Sequence, residues 1–463
     1  MQQHLERCKY MPALDAISRE VYSDILADFP ALEKARDAQQ VGEAILEAAP
    51  AWLPTTNDLQ VELSKLYVKP LKHVRILFHF YGKDANGETA HTWAIGKVAH
   101  RDALAKIQKK AAKGKAKGGS KILPLWDYGL ELEPFTSDAE LEHVAKLTDA
   151  AWAKRYFQDL VDRLPLPAGA TIDSVDIDPF KYLPGKRIVL RYRLRYGDDE
   201  LLLFAKHYDG DQGRASADIQ NHLSRQLETG AGTAVVPRVY HYDPELQVTF
   251  QQAWIGNSIA KGETERPREQ WTRLLRATCG LHSVAPPRGS QATLDARALL
   301  FKIRKDVADV TALLPQMQSF MESAQDTLTR TLERETPRHS GFLHGSLLPS
   351  QILLGENNVA FIDFDGTAEG DPLYDVCELL TSFLFEDWRL GKTPQEVLAA
   401  WKQALEDFEN IYEQEVSYPL AAAYTLTFLM NRTHQHLKKL RSFPASGLDG
   451  MTNLLRTFLA EQS

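Results

Sequence analysis

The segment from residue 340 to 375 concentrates polar side chains between short apolar runs. It reads SGFLHGSLLPSQILLGENNVAFIDFDGTAEGDPLYD, where ILL and VAFIDF flank a polar turn at GENN, and this predicts loop, strand, turn, strand and loop. Asp363 ends the run VAFID, and Gln351 directly precedes ILL. Carboxylate and amide oxygens suit Mg²⁺, and a ligand at the end of an apolar strand is held rigidly. Asp363 and Gln351 are therefore the candidate metal ligands.

A cationic group stands far upstream, at the end of another predicted strand. Lys206 closes the run ELLLFAK. Transfer of a γ-phosphoryl group asks a protein mainly for positioning and charge neutralisation, with a lysine against the α- and β-phosphates and oxygen ligands on Mg²⁺. If the chain catalyses this transfer, we expect Lys206 and Asp363 to converge on one triphosphate.

The same segment resembles the catalytic stretch of the aminoglycoside phosphotransferase and choline kinase family. That family's pattern is HGDxxxxN, then about a dozen residues to IDF or IDW, then GDPxxD. The order and spacing agree here. The matching positions are His344, Gly345, Ser346, Gln351, Ile362, Asp363, Phe364, Gly370, Asp371, Pro372 and Asp375.

The resemblance implies an α+β, two-lobed protein-kinase-like fold with a β-rich small lobe and a mainly helical large lobe. It covers roughly the last two-thirds of the chain, from about residue 166. It implies ATP or GTP and Mg²⁺ as cofactors, and phosphoryl transfer to a hydroxyl of a sugar, an aminoglycoside or an amino alcohol. Lys206 is then the lysine of the small lobe.

The resemblance also implies roles for several other residues. His344 belongs to the catalytic loop, and the adenine-binding hinge falls near residues 251 to 254, with Gln252 and Trp254 as nucleotide-binding candidates. Asp371 and Asp375 are expected to brace the metal loop rather than to touch substrate.

One departure concerns the catalytic base, because Ser346 stands where the family has aspartate. A serine hydroxyl is uncharged and too weakly basic to replace a carboxylate at neutral pH. A loose transition state makes little demand on a base, so some activity is compatible with the change. Asp365 is a substitute carboxylate, although we favour its alternative role, capping the turn at Gly366 and Thr367.

A second departure concerns the partner of Lys206, because kinases pair this lysine with a glutamate on the following helix. The segment GRASADIQNHLSRQLE offers Asp218 and Gln220, and no glutamate before Glu228. Asp218 is our choice. Both departures motivate a competing hypothesis, a pseudokinase that binds nucleotide and serves as a sensor or as an assembly partner of another protein.

Composition excludes several other classes. The chain has 463 residues, 54 Lys and Arg against 62 Asp and Glu, and a net charge of −8, which argues against nucleic-acid and membrane-surface binding. The lysine-rich run from 97 to 121 lacks interleaved aromatic residues, so we interpret it as a solvated connection. Three cysteines and the absence of a secretory or membrane-spanning pattern predict a soluble cytoplasmic protein.

Hydrophobic periodicity divides the chain into four parts. We predict helices in 1–56, a β-rich module in 57–165, a kinase-like small lobe in 166–258 and a helical large lobe in 259–463. Thr393, Pro394 and Glu396 predict a capped helix start. The two β-rich segments overlay as a suspected internal repeat; the alternative is two unrelated hairpins. The overlay aligns Pro70 with Pro184, Lys72 with Lys186 and Lys97 with Lys206.

Overall fold

The structure is a computed structural model, and it describes residues 18–53, 58–70, 72–83, 87, 89–104, 122–228, 233–254, 256–259, 268–285, 292–444 and 446–462. The lysine-rich run beyond residue 104 lies largely outside these ranges. Two compact units are present. Unit 1 comprises the described residues up to Asp209 together with His436–Ser442, and unit 2 comprises Gly210–Gln435 and the described residues after Phe443.

The described part of unit 1 begins with three helices, which agrees with the apolar periodicity of this region and with its break at Pro30. They are α1 (Ser23–Asp28), α2 (Leu32–Ala35) and α3 (Ala38–Ala48). Five strands follow and form one antiparallel sheet in the order β1-β2-β3-β5-β4. They are β1 (Gln60–Lys69), β2 (His73–Lys83), β3 (Thr89–Ala99), β4 (Leu123–Leu125) and β5 (Leu130–Pro134).

The alternating sequence of β2 gives this sheet one buried face. Val74, Ile76, Phe78 and Phe80 are each at most 1% exposed. Because side chains alternate between faces along a strand, the intervening residues of β2 occupy the opposite face, where Leu77 and His79 are also buried and His73, Arg75 and Tyr81 are partly exposed.

The second half of unit 1 repeats the three-stranded antiparallel arrangement. Helices α4 (Val144–Leu147) and α5 (Ala150–Asp159) precede strands β6 (Ser174–Leu183), β7 (Arg187–Tyr196) and β8 (Asp199–Tyr208). Ile188, Leu190, Tyr192 and Leu194 of β7 are fully buried. The predicted alternation in both segments is therefore observed.

Strand register places the two aligned lysines at equivalent positions. Lys97 on β3 lies opposite Arg75, and Lys206 on β8 lies opposite Val189. Arg75 and Val189 stand at the same distance after the aligned prolines. The surroundings differ, because Lys97 is exposed while Lys206 is only 7% exposed.

The turn between β6 and β7 is held by an aspartate from earlier in the chain. Asp138 Oδ2 accepts hydrogen bonds from the Tyr182 hydroxyl at 2.6 Å and from the Gly185 amide at 2.7 Å. Gly185 has φ +67°, and a Cβ there would overlap the carboxylate of Glu140. Residues 138–140 thus fix the conformation of this turn.

Unit 2 is mainly helical. Its helices are α6 (Gln212–Glu228), α7 (Arg268–His282), α8 (Ala296–Leu313), α9 (Gln318–Arg334), α10 (Pro372–Arg389), α11 (Pro394–Tyr412), α12 (Tyr418–Lys438) and α13 (Gly447–Ala460). The start of α11 confirms the predicted capping box: the Thr393 hydroxyl accepts from the Glu396 amide, and the Glu396 carboxylate accepts from the Thr393 amide. No described helix is long and apolar enough to cross a bilayer.

Short strands of unit 2 surround the segment that carries the predicted motif. An antiparallel hairpin consists of β10 (Val239–Asp243) and β11 (Val248–Gln252). One sheet has the order β12-β15-β16-β9 and another has the order β13-β17-β14. Their strands are β9 (Ala234–Val235), β12 (Asn257–Ser258), β13 (Ala292–Thr293), β14 (Gly341–Leu343), β15 (Ile352–Leu354), β16 (Val359–Phe361) and β17 (Ala368–Gly370).

The predicted fold class, α+β with β-rich and mainly helical parts, is confirmed by these elements. The predicted strand, turn and strand at residues 352–361 are observed, but each flanking stretch that was predicted as a loop contains a short strand, and these two strands, β14 and β17, pair with each other. The four domain ranges given above remain a prediction.

Candidate active site

The hairpin β15–β16 brings the two candidate metal ligands to the same end of the sheet. Ile352 pairs with Phe361, and the Ile362 amide donates to the Gln351 carbonyl at 3.0 Å. Gln351 and Asp363 are therefore the first residues beyond the paired strands on either side. The sheet holds their backbones in one relative position.

Asp363 adopts a left-handed backbone conformation, with φ 75° and ψ 60°, directly before a short 3-10 turn at Phe364–Gly366. A non-glycine residue in this region carries about 1–3 kcal/mol of strain and persists where the surroundings impose it. Here the buried strand β16 and the fully buried Phe364 flank the residue. No local pattern in the sequence predicts this conformation.

The loop after β14 is anchored by the carboxylate of Asp375, which is fully buried on α10. Its Oδ2 accepts from the His344 amide at 2.6 Å, and its Oδ1 accepts from the Gly345 amide at 2.9 Å. Asp375 thus braces the catalytic loop. Asp371, by contrast, caps α10, because its Oδ1 accepts from the Leu373 amide.

A buried hydrogen-bond network extends from Asp375 to two further side chains. His282 Nε2 lies 3.0 Å from Asp375 Oδ2, and His282 Nδ1 lies 3.0 Å from the hydroxyl of Tyr412. Since a carboxylate only accepts, Nε2 carries the hydrogen, and a neutral ring then accepts the Tyr412 hydroxyl at Nδ1. His282 therefore orients the aspartate that holds the loop. Tyr412 was not singled out in the sequence, because it lies on a different helix.

His344 connects the catalytic loop to the metal-ligand strand. Its fully buried ring donates from Nε2 to the Ile362 carbonyl at 3.1 Å, one residue before Asp363. Burial is the main cause that lowers the pKa of His344, so the ring is neutral near pH 7. A catalytic role for His344 remains a prediction; its contacts are those of a residue that positions Asp363.

Two glycines bring the catalytic loop against the turn that follows Asp363. Gly345 has φ +73°, and a Cβ there would overlap the carbonyl oxygen of Gly366. A Cβ on Gly366 would lie 3.3 Å from Ser346 Cβ. Ser346 is thus adjacent to the 3-10 turn that carries Asp365.

Asp365 is exposed, and its Oδ1 accepts a hydrogen bond from the Ser216 hydroxyl at 3.0 Å. This contact joins α6 to the turn. Ser216 is a residue that sequence reasoning missed, and a serine at this distance along the chain gives no local signal. The roles of Asp365 as base or as turn cap stay open predictions.

Gln351 is 7% exposed, and its Oε1 accepts from the Leu348 amide at 2.8 Å. An amide oxygen has two lone pairs, so this bond leaves one acceptor position for a metal ion. Asp363 and Gln351 therefore fit Mg²⁺, which typically takes one or two protein oxygens and completes its shell with phosphate and water. Among the described residues, no three His, Cys, Asp or Glu side chains form a metal cluster by themselves.

The predicted nucleotide-binding residues of unit 2 lie on α6, at the last position of β11 and two residues beyond it. Asp218 is exposed on α6, whereas Gln220 is buried and donates to the Pro237 carbonyl at 2.7 Å. Gln252 Oε1 accepts from the Arg238 amide at 3.3 Å. The buried indole nitrogen of Trp254 makes no hydrogen bond with the described residues.

Lys206 belongs to unit 1, where its ammonium lies 5.2 Å from the centre of the Tyr208 ring. Its convergence with Asp363 remains a prediction.

The sequence of residues 180–413, half of the chain, matches the model of the phosphotransferase enzyme family. The chain belongs to this family. The match confirms the membership predicted from the HGSxxxxQ, IDF and GDPxxD motifs. It supports a small-molecule phosphotransferase function in general.

Several solved structures are similar to this chain. A spectinomycin phosphotransferase in complex with ADP and spectinomycin has 14% identity, a TM-score of 0.43 and coverage of 66% of this chain and 98% of that chain. A choline/ethanolamine kinase family protein from Mesorhizobium loti has 16% identity, a TM-score of 0.41 and coverage of 66% and 98%. A choline kinase from Cryptosporidium parvum has 12% identity, a TM-score of 0.45 and coverage of 66% and 94%. No curated protein matches the chain.

Near the loop that carries Ser346, the chain has a carboxyl group with a raised pKa. Glu378 follows Asp375 on α10, and its Oε2 is buried without a hydrogen bond among the described residues. Burial first, and the charge of Asp375 second, raise the pKa of Glu378 to about 8. The group is therefore mostly protonated at neutral pH.

Glu378 is expected to make stability fall as pH rises. Because its pKa is higher in the folded than in the unfolded chain, its contribution is complete below pH ~4.5 and is lost up to pH ~8, by up to about 1.4 kcal/mol for each pH unit. Glu378→Gln should flatten this slope. Urea unfolding at pH 5, 6, 7 and 8 measures it, with Glu322→Gln, an exposed helix residue, as control. Equal slopes in wild type and Glu378→Gln would contradict the assignment.

Proposed function

We propose that the chain transfers the γ-phosphoryl group of ATP or GTP to a hydroxyl of a small molecule, such as a sugar, an aminoglycoside or an amino alcohol. The proposal rests on one observation: the loop that carries His344 and Gly345 is anchored to the end of strand β16, beside Asp363. Asp375 accepts from both amides of the His344–Gly345 step, and the His344 ring donates to the carbonyl beside Asp363. Phosphoryl transfer depends chiefly on such positioning.

In this mechanism, Asp363 and Gln351 hold Mg²⁺, and Lys206 binds the phosphates from the small lobe. The bound ion supplies neutralisation of charge on the triphosphate. The left-handed backbone of Asp363 fixes the direction of its carboxylate. Gln252, Trp254 and Asp218 are proposed nucleotide contacts.

The acceptor hydroxyl is expected beside Ser346 and the turn at residues 364–366. Ser346 can orient this hydroxyl by a hydrogen bond but is too weak a base to remove its proton. Asp365 lies one residue from Gly366, which packs against Ser346, and the Ser216 hydroxyl restrains its carboxylate. We therefore assign proton acceptance to Asp365.

The second candidate function is a pseudokinase. The observation that favours it is Ser346 at the position of the catalytic aspartate, together with the absence of a glutamate on α6 before Glu228. Such a protein binds nucleotide and metal without turnover. It would act as a sensor or as an assembly partner of another protein.

One set of measurements separates the two functions. For an active enzyme, ATP or GTP with Mg²⁺ should raise the melting temperature, and a phosphorylated product should form from a pool of hydroxylated metabolites. Asp365→Asn should then lower turnover by about 10²-fold or more, the usual contribution of a general base. Asp326→Asn, an exposed substitution on α9, is the matched control.

The pseudokinase predicts the thermal shift without product, and product formation only after Ser346→Asp. A chain that folds normally but shows no thermal shift with either nucleotide would exclude both functions.

A further inference from the structure

The face of the unit 1 sheet that carries Arg75 has apolar and cationic side chains, and its cations are concentrated towards one end. Lys65 and Lys69 of β1, Arg75 of β2 and Lys97 of β3 occupy this face, which we call the basic face. The pairing of Lys97 with Arg75 and of Lys65 with Leu77 places them on one side of the sheet, since residues opposite each other share a face. This concentration is unusual in a chain of net charge −8.

Lys65 is half-buried, and no carboxylate forms an ion pair with its ammonium among the described residues. Its ammonium donates one hydrogen bond, to the Tyr182 carbonyl at 3.4 Å. Burial first, and then the charges of Lys181 and Arg187, lower the pKa of Lys65 to about 8. A desolvated ammonium beside other cations is costly unless an anion accompanies it.

His73 reports the same positive potential from the end of β2. Burial and then the charges of Lys97, Arg75, Lys69 and Lys72 lower its pKa to about 4. None of the four residues of the basic face forms a salt bridge within the described ranges. Their charges are therefore available to a ligand.

The carboxylates of the basic face are fewer than its cations. Glu62 lies opposite His79, Glu131 opposite Lys97 and Glu133 opposite Ile95, so three carboxylates share the face with four cations. Asp138 is occupied by the Tyr182 hydroxyl and the Gly185 amide. Further cations approach from the second half of unit 1 and from residues 436–442: Lys181, Arg187, Lys439 and Arg441.

We propose that the basic face binds a small phosphate-bearing anion, with Lys65 and Arg75 as its principal contacts. Arg75 offers a planar donor fork that matches phosphate, and Lys65 offers a point charge beside it. Strand pairing makes the two cations diagonal neighbours on one face, because Lys65 lies opposite Leu77 and Arg75 lies opposite Tyr67. The half-buried position of both cations suits a small ligand rather than a nucleic-acid strand, and the inference does not depend on phosphoryl transfer.

The test compares two double variants that lose the same charge. Lys65→Met with Arg75→Met removes the proposed contacts, and Lys154→Met with Arg155→Met removes two exposed cations of α5. Binding of inorganic phosphate and of pyrophosphate is measured by calorimetry at constant ionic strength. We expect the first variant to lose at least tenfold in affinity and the second to bind as the wild type. Equal binding by all three proteins, or none by the wild type at millimolar phosphate, would overturn the proposal.

ATP titration of the same proteins identifies the source of the phosphate. A parallel loss of ATP affinity assigns the anion to the nucleotide, and unchanged ATP affinity assigns it to a separate phosphorylated ligand. Either result supports an anion-binding site at the basic face. Asp363→Asn should bind inorganic phosphate as the wild type does, so a failure of the phosphotransferase proposal leaves this test intact.

A measurement on the wild type covers the case in which the double variant does not fold. Amine acetylation near pH 8, followed by mass spectrometry, should label Lys65 readily because of its lowered pKa. Phosphate should protect Lys65 and leave Lys154 unaffected. Equal labelling of Lys65 with and without phosphate would contradict binding at this face.

Discussion

Asp363→Asn is expected to abolish the Mg²⁺-dependent thermal shift with nucleotide and to lower turnover by roughly three orders of magnitude. Asparagine keeps the size of the side chain and tolerates the left-handed backbone that Asp363 adopts, so only the negative charge is removed. Binding of Mg²⁺ and nucleotide, measured by calorimetry, and product formation should both fail.

Asp326→Asn provides the control, because it removes one exposed carboxylate from α9 without touching the motif. The melting temperature without ligands should be unchanged or higher in Asp363→Asn, since a strained aspartate is replaced by a residue that favours this conformation. If Asp363→Asn kept the metal-dependent shift of the wild type, Asp363 would not be a metal ligand, and the proposed mechanism would be wrong.

Asp375→Ala is expected to destabilise the chain by about 3–5 kcal/mol, because it leaves buried donors without an acceptor. The affected donors are the amides of His344 and Gly345 and the Nε2 of His282. Urea unfolding measures the loss. Activity should fall further than the folded fraction explains, since the released loop carries Ser346.

Tyr412→Phe serves as the comparison for Asp375→Ala. It removes only the hydroxyl that contacts His282 Nδ1 and should cost about 1 kcal/mol. A loss below about 1 kcal/mol in Asp375→Ala would show that the loop is held by other contacts.

Local sequence patterns predicted the elements around the site well. The alternation of ILL, GENN and VAFIDF corresponds to β15, the turn and β16, and Thr393 with Glu396 forms the predicted capping box. These features depend on residues within a few positions of each other. The HGSxxxxQ and GDPxxD spacing predicted the family, and the match to residues 180–413 confirms it.

Contacts between residues far apart in the sequence could not be predicted from it. Nothing near Ser216 indicates that it bonds to Asp365, and nothing near Tyr412 indicates its contact with His282. Such pairs depend on how helices pack, which periodicity does not specify. The left-handed backbone of Asp363 could not be predicted either, because aspartate also adopts the ordinary backbone conformations.

Asp138, which stabilises the β6–β7 turn, limits how far the protein can be truncated from its N-terminus. The family match begins at residue 180, but Asp138 supplies the acceptor for Tyr182 and Gly185 from more than forty positions upstream. A fragment that starts at the family boundary would expose that amide and hydroxyl and release the hairpin. A fragment designed for biochemistry therefore needs to start before Asp138, well upstream of the family boundary.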